Sequence, residues 1–189
     1  LLLSEVLSAE SAKSELYSDT KAALDLLSSV IHVPFLFTKA DLLCLEGGYT
    51  MSVVDSLIGK ESSGKLCFGN YELPEKKKLS DYEYEGDLYK VKTFEQITKL
   101  EKNGLFVYES VPGTAVHDFS MKAEGVSFIV EGPEDAQITI GLEEETEYEV
   151  YVDNVLLSSM KTNLSGKLAI GLELDKGKSL EVNIKKVER

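Results

Sequence analysis

Tryptophan is absent from this chain and arginine occurs once, as Arg189, so neither indole stacking nor a cluster of guanidinium groups is available to a ligand. Histidine is almost as scarce. A nucleophilic triad needs a base within hydrogen-bond reach of a hydroxyl or thiol, and His32 and His117 are the only imidazoles. His32 stands in an apolar stretch, and His117 precedes Asp118, whose side chain takes the opposite face if both lie in one strand. The two cysteines, Cys44 and Cys67, and the two histidines are scattered one per segment, which excludes the clustered ligand set of a zinc centre. No glycine-rich phosphate loop occurs, and the glycines fall between apolar runs as turn formers. The sequence therefore predicts no catalytic residue, no metal and no cofactor. His117 is kept as a binding candidate.

Basic charge is also in deficit. With 33 acidic against 20 basic side chains the net charge is −13, which repels nucleic-acid phosphates and excludes nucleic acid as a natural partner. No apolar run approaches the roughly 18 residues of a membrane span, and the leucine-rich start meets Glu5 at once with no basic flank, so neither span nor secretion signal is read. Cys44 and Cys67 lack the repeated spacing of a disulfide framework. A reducing cytoplasm is the default expectation, with an extracellular location as the alternative.

What the chain does contain is strand periodicity. Side chains alternate faces along a strand, and Val126, Phe128 and Val130 recur at every second position. Ile138, Ile140 and Leu142 follow after Gly132-Pro133, then Tyr148, Val150 and Val152 beyond the acidic run Glu143-Glu144-Glu145, read as a charged hairpin tip. Asp153-Asn154 tolerate positive φ and predict a two-residue hairpin into Val155. Leu168, Ile170, Leu172 and Leu174 alternate in turn, and Asp175 to Lys178 lead the chain into Leu180, Val182 and Ile184. Short strands at such spacing predict a mainly β protein, an antiparallel β-sandwich over Lys65 to Val187. Its expected core includes Phe128, Val130, Ile138, Ile140, Val150, Ile170, Leu172, Val182 and Ile184.

Residues 1 to 50 differ in kind. They are rich in Leu, Ala and Ser, and Leu16, Ala23, Leu24, Leu27 and Val30 share one helical face, so a short α-helical prefix is expected, its second helix closed by Pro34 and a last short turn running through Leu45. The composition changes at Gly47-Gly48-Tyr49-Thr50-Met51, which marks residues 1 to 50 as a helical prefix, a fused segment or an upstream read-through and 51 to 189 as the β domain. An apolar stripe on short helices must be buried to be ordered, against the β domain or against its copy in another chain. The second is expected ahead of packing on the β domain or a free prefix, and predicts a homo-oligomer.

Between these parts, Lys65 opens an expected hairpin with Cys67 and Phe68 in one strand, Gly69-Asn70 at its turn and Tyr71 to Leu73 returning. Lys76-Lys77-Lys78 reads as a solvated loop, with a phosphate or acidic-glycan contact as its functional alternative. Asp81, Glu83, Glu85 and Asp87 alternate with Tyr82, Tyr84 and Gly86, which places carboxylates on one face of a strand and tyrosines on the other. They lack the looped clustering of a calcium site. Phe94, Ile97, Thr98 and Glu101 are spaced for a short helix over Thr93 to Lys102, ended by Asn103-Gly104. Tyr82, Tyr84 and Tyr89 are the candidate residues for stacking a sugar, set against the plain role of tyrosine in cross-strand packing.

The segments Gly86-Asp87-Leu88-Tyr89-Lys90-Val91-Lys92-Thr93, Phe106-Val107-Tyr108-Glu109, Val111-Pro112-Gly113-Thr114-Ala115-Val116, Glu131-Gly132-Pro133-Glu134-Asp135-Ala136-Gln137 and Lys161-Thr162-Asn163-Leu164-Ser165-Gly166-Lys167 carry a resemblance. From Met51 to the C-terminus the chain resembles a group of small bacterial proteins that bear the name endosialidase. The name implies hydrolysis of polysialic acid, an anionic polymer. Sialidases as a class grip the sugar carboxylate with an arginine cluster and carry Ser-x-Asp-x-Gly-x-x-Trp repeats on a long propeller. With one arginine and no tryptophan, this chain matches none of those positions, so the resemblance carries over no catalytic residue. The readings in order are a non-catalytic structural or interaction protein that self-associates, a carbohydrate-binding accessory module with a glycan partner, and a glycoside hydrolase.

Overall fold

The computed structural model describes residues 53–187, and the expected helical prefix lies outside them. The described chain is mainly β: thirteen strands in two antiparallel sheets. They are β1 (Ile58–Lys60), β2 (Leu66–Phe68), β3 (Lys77–Tyr84), β4 (Asp87–Phe94), β5 (Ile97–Lys102), β6 (Leu105–Val111), β7 (Ala115–Lys122), β8 (Gly125–Glu131), β9 (Ala136–Gly141), β10 (Glu147–Val152), β11 (Val155–Lys161), β12 (Lys167–Leu172) and β13 (Ser179–Lys186). The seven-stranded sheet runs β1-β2-β7-β8-β13-β10-β11, and the six-stranded sheet β12-β9-β6-β5-β4-β3.

The strands form where apolar residues recur at every second position. In β12 the pattern places Leu168, Ile170 and Leu172 inside and Lys167, Ala169 and Gly171 outside. All nine expected core residues are buried, and they join residues of both sheets in one apolar cluster. Aromatic rings tie the layers together. Tyr108 of the six-stranded sheet meets Phe68 at 5.2 Å and Phe128 at 5.8 Å, both from the other sheet and both edge-on, the geometry that the ring quadrupole favours.

Three two-residue hairpins have both central residues at positive φ: Glu85-Gly86, Asn103-Gly104 and Asp153-Asn154. Such turns match the right-handed twist of their strands. The Asp153-Asn154 hairpin is as the sequence predicts, with Val152 paired to Val155.

Four local expectations give way to the structure. Thr93 to Lys102 is no helix but the end of β4 and all of β5, joined at Glu95-Gln96 with Phe94 paired to Ile97. The helical spacing of Phe94, Ile97, Thr98 and Glu101 straddles that turn, whereas Thr93, Thr98 and Leu100 point inward with the strand period. The hairpin expected from Lys65 is also absent. Phe68 pairs with Ile58 of β1, and Tyr71 to Leu73 run as loop. Asp81 to Asp87 is a hairpin bent at Glu85-Gly86, with Lys77 and Lys78 inside β3 instead of in a loop. Finally, Glu143 to Glu145 does not tip a hairpin. The segment carries the chain from β9 in one sheet to β10 in the other, held by the bonds Leu142 N to Gly166 O (2.7 Å) and Thr162 N to Thr146 O (3.0 Å).

A chain of hydroxyls crosses the interior near the Pro112 turn. Thr93 and Thr98 share a hydrogen bond of 2.8 Å, Thr98 donates to Thr114 O at 2.8 Å, and Thr114 Oγ1 is 2.8 Å from both Tyr108 and Ser110 hydroxyls. Polar groups this deep are tolerated only when paired, and each of these is.

Candidate functional site

The tyrosine candidates lie on the inner side of the β3–β4 hairpin. Tyr82 pairs in register with Tyr89, and Tyr84 packs edge-on against Tyr89 at 6.0 Å, while Glu83 and Glu85 stay exposed. Tyr84 also donates to Gly64 O at 2.9 Å, and burial pushes the Tyr89 phenol up. The alternation read from the sequence thus separates a solvent face from a packing face. Among the described residues these tyrosines form no exposed row.

His117 is buried in β7, where a bulge interrupts the pairing with β8 and turns Asp118 to a φ of 48°. The turn after β1 brings Glu61 against this bulge. Glu61 Oε1 is 2.7 Å from His117 Nδ1, and Glu61 Oε2 accepts from Asp118 N at 2.9 Å. Ser63 of the same turn donates to Asp118 Oδ1 at 2.5 Å. The carboxylate therefore fastens the β1–β2 turn to β7. Ser63 spends its hydroxyl on Asp118 instead of the imidazole, and His117 Nε2 is buried with no hydrogen-bond partner. Cys67, in the neighbouring strand, has its thiol pushed up to about 11 by burial and then by Glu61, which leaves it protonated and a poor nucleophile near neutrality. Glu61 orients the imidazole, but neither Ser63 nor Cys67 is hydrogen-bonded to it, so the cluster lacks the contact by which a base would activate a nucleophile. Among the described residues no group of three or more His, Cys, Asp or Glu is placed to hold a metal ion.

Glu131 is a buried carboxylate that sequence reasoning passed over. Its Oε1 accepts from Tyr71 at 2.8 Å, and burial together with that carboxylate raises the phenol. A cavity of about 470 Å3 opens beside Tyr71, lined also by Glu72, Glu95, Pro112, Pro133 and Glu134. Neither Glu61 nor Glu131 had a local signal, because their partners are 56 and 60 residues away.

The sheet edges differ sharply in how they are protected. β1 has three residues, and β3 opens with Lys77 and Lys78 and carries a bulge before Tyr82, the usual devices against edge-to-edge pairing. β11 ends the seven-stranded sheet with Val155, Leu156 and Leu157 exposed at 69%, 52% and 54%. Its bulge opposite Val150 and Tyr151 brings two adjacent leucines to the surface. Leu164, 77% exposed, lies in the loop that leaves β11. Three aliphatic side chains in a row on a terminal strand are the largest departure from a solvated edge in the described chain.

No family model, curated protein or solved structure matches this chain.

Proposed function

We propose that this chain is a non-catalytic β-sandwich interaction protein, preceded by a helical prefix, that associates with copies of itself. The observation that carries the reading is the aliphatic surface of β11 on an open sheet edge. An unpaired edge offers main-chain donors and acceptors, and a second β11 related by a two-fold axis satisfies them with the same strand. Burying the exposed half of three aliphatic side chains on each copy yields roughly 5–9 kcal/mol. Association costs about 4–15 kcal/mol in lost freedom of motion. The balance makes the contact reversible and concentration-dependent.

Light scattering tests this on the full chain. Leu156→Lys with Leu157→Lys is expected to lower the mass per particle toward that of a monomer, while near-ultraviolet circular dichroism stays unchanged because both positions are exposed. An unchanged mass would overturn the β11 interface.

The hydrolase reading draws on the name of the similar bacterial proteins, but the chain has a single arginine with which to grip a sugar carboxylate. Purified protein is therefore expected to release no sialic acid from polysialic acid. Turnover abolished by replacing one Asp or Glu would contradict this.

A further inference from the structure

The outer face of the six-stranded sheet gathers lysines that are dispersed in the sequence. β3 pairs Lys78 with Lys92, and β4 pairs Lys92 with Lys99, so three ammonium-bearing residues stand side by side on adjacent strands. Neighbouring strands are about 4.8 Å apart, and like charges directly opposite one another destabilise a sheet. Glu101 relieves part of this charge through Lys90 at 2.9 Å and Lys99 at 3.2 Å, and Glu109 stands opposite Lys99. Lys76, Lys78 and Lys92 have no ion pair among the described residues. Together with Lys90, Lys99 and Glu101 they line a hollow of about 230 Å3. A concentration of unpaired positive charge on a chain of net charge −13 runs against the composition of the whole molecule.

We propose that this face binds a compact oligophosphate, with Lys78, Lys92 and Lys99 meeting its phosphoryl oxygens. The size of the hollow and the surrounding charge both favour a small ligand. A long polyanion would extend beyond the lysines onto a surface that repels it. The residue type favours phosphate over carboxylate. The guanidinium fork matches carboxylates and phosphates alike, whereas ammoniums act as compact point charges that respond to charge density, which is highest on multiply charged phosphoryl groups. Lys92 is the centre of the site, since it alone has a lysine directly opposite on both sides.

Isothermal titration of the full chain with inorganic tripolyphosphate at low salt is the test. One site per chain is expected, weakened by added salt and weakened at least about tenfold by Lys92→Gln. Paired changes elsewhere, Lys161→Gln with Lys176→Gln, are expected to leave the affinity unchanged. Without ligand, Lys92→Gln is expected to melt at or above the temperature of the parent protein, because its removal relieves repulsion. Tripolyphosphate should raise the melting temperature of the parent more than that of the variant. The proposal is overturned by no binding tighter than about 1 mM, by equal binding to Lys92→Gln, or by citrate binding as tightly as tripolyphosphate.

Discussion

Tyr108→Ala is expected to destabilise the β domain by about 3–5 kcal/mol, the largest effect of any single truncation in its core. The ring is fully buried, and it is the one aromatic side chain of the six-stranded sheet that contacts both Phe68 and Phe128 of the other sheet. Its removal leaves a cavity where three rings met. It also withdraws a hydroxyl 2.8 Å from Thr114 Oγ1. Tyr108→Phe separates the two contributions. The ring stays, and Ser110 still reaches Thr114 Oγ1 at 2.8 Å, so a cost of only about 1 kcal/mol is expected. On thermal unfolding the alanine variant should melt roughly 10 °C or more below the parent and the phenylalanine variant within a few degrees. Equal losses would mean that the hydroxyl chain, and not ring packing, joins the sheets.

Gly69→Ala should be nearly as costly, for a reason that lies in the backbone. Gly69 has φ of +99°, and a Cβ there would sit 2.3 Å from Thr114 O. Positive φ alone costs an alanine about 1–2 kcal/mol, and a clash with backbone that cannot swing aside adds roughly 1–3 kcal/mol. Thr114 cannot move freely, because its carbonyl accepts from Thr98 and its hydroxyl is bonded to Tyr108 and Ser110. Gly86→Ala is the control. Its φ is +83° but nothing lies within 4 Å of the added carbon, so only the conformational strain of about 1–2 kcal/mol applies. Chemical denaturation of the two variants should place Gly69→Ala well below Gly86→Ala. Indistinguishable midpoints would show that the Thr114 segment yields.

The strands of the C-terminal half were legible because period two is a local signal, and Asp153-Asn154 announces its hairpin through the conformational tolerance of those residues. The order of the strands was not. β8 pairs with β13 and β6 with β9, so neighbours in space are distant in sequence and only the folded register names them. The helix expected at Thr93 to Lys102 failed because a two-residue turn inside a strand pair can mimic helical spacing by coincidence. The glutamates Glu143 to Glu145 marked a turn correctly, but whether a turn closes a hairpin or crosses between sheets depends on distant pairing partners. Of the candidate residues, the tyrosines obeyed their alternation and packed inward. His117 gained a partner, Glu61, that no spacing could indicate. The lysine row is of the same kind: Lys76 to Lys78 looked like a solvated loop until β4 and β5 set Lys92 and Lys99 beside it.

Self-association through β11 is tested most directly by amide hydrogen exchange across protein concentration. Those β11 amides that do not bond to β10 face solvent in a single copy and pair with the partner strand in a dimer. Their exchange is predicted to slow as concentration rises through the micromolar range, with Leu156→Lys and Leu157→Lys abolishing the effect, while β8 and β13 in the sheet centre remain protected throughout. Exchange in β11 that is equally fast at every concentration, in a protein whose mass nevertheless exceeds that of one chain, would contradict the account.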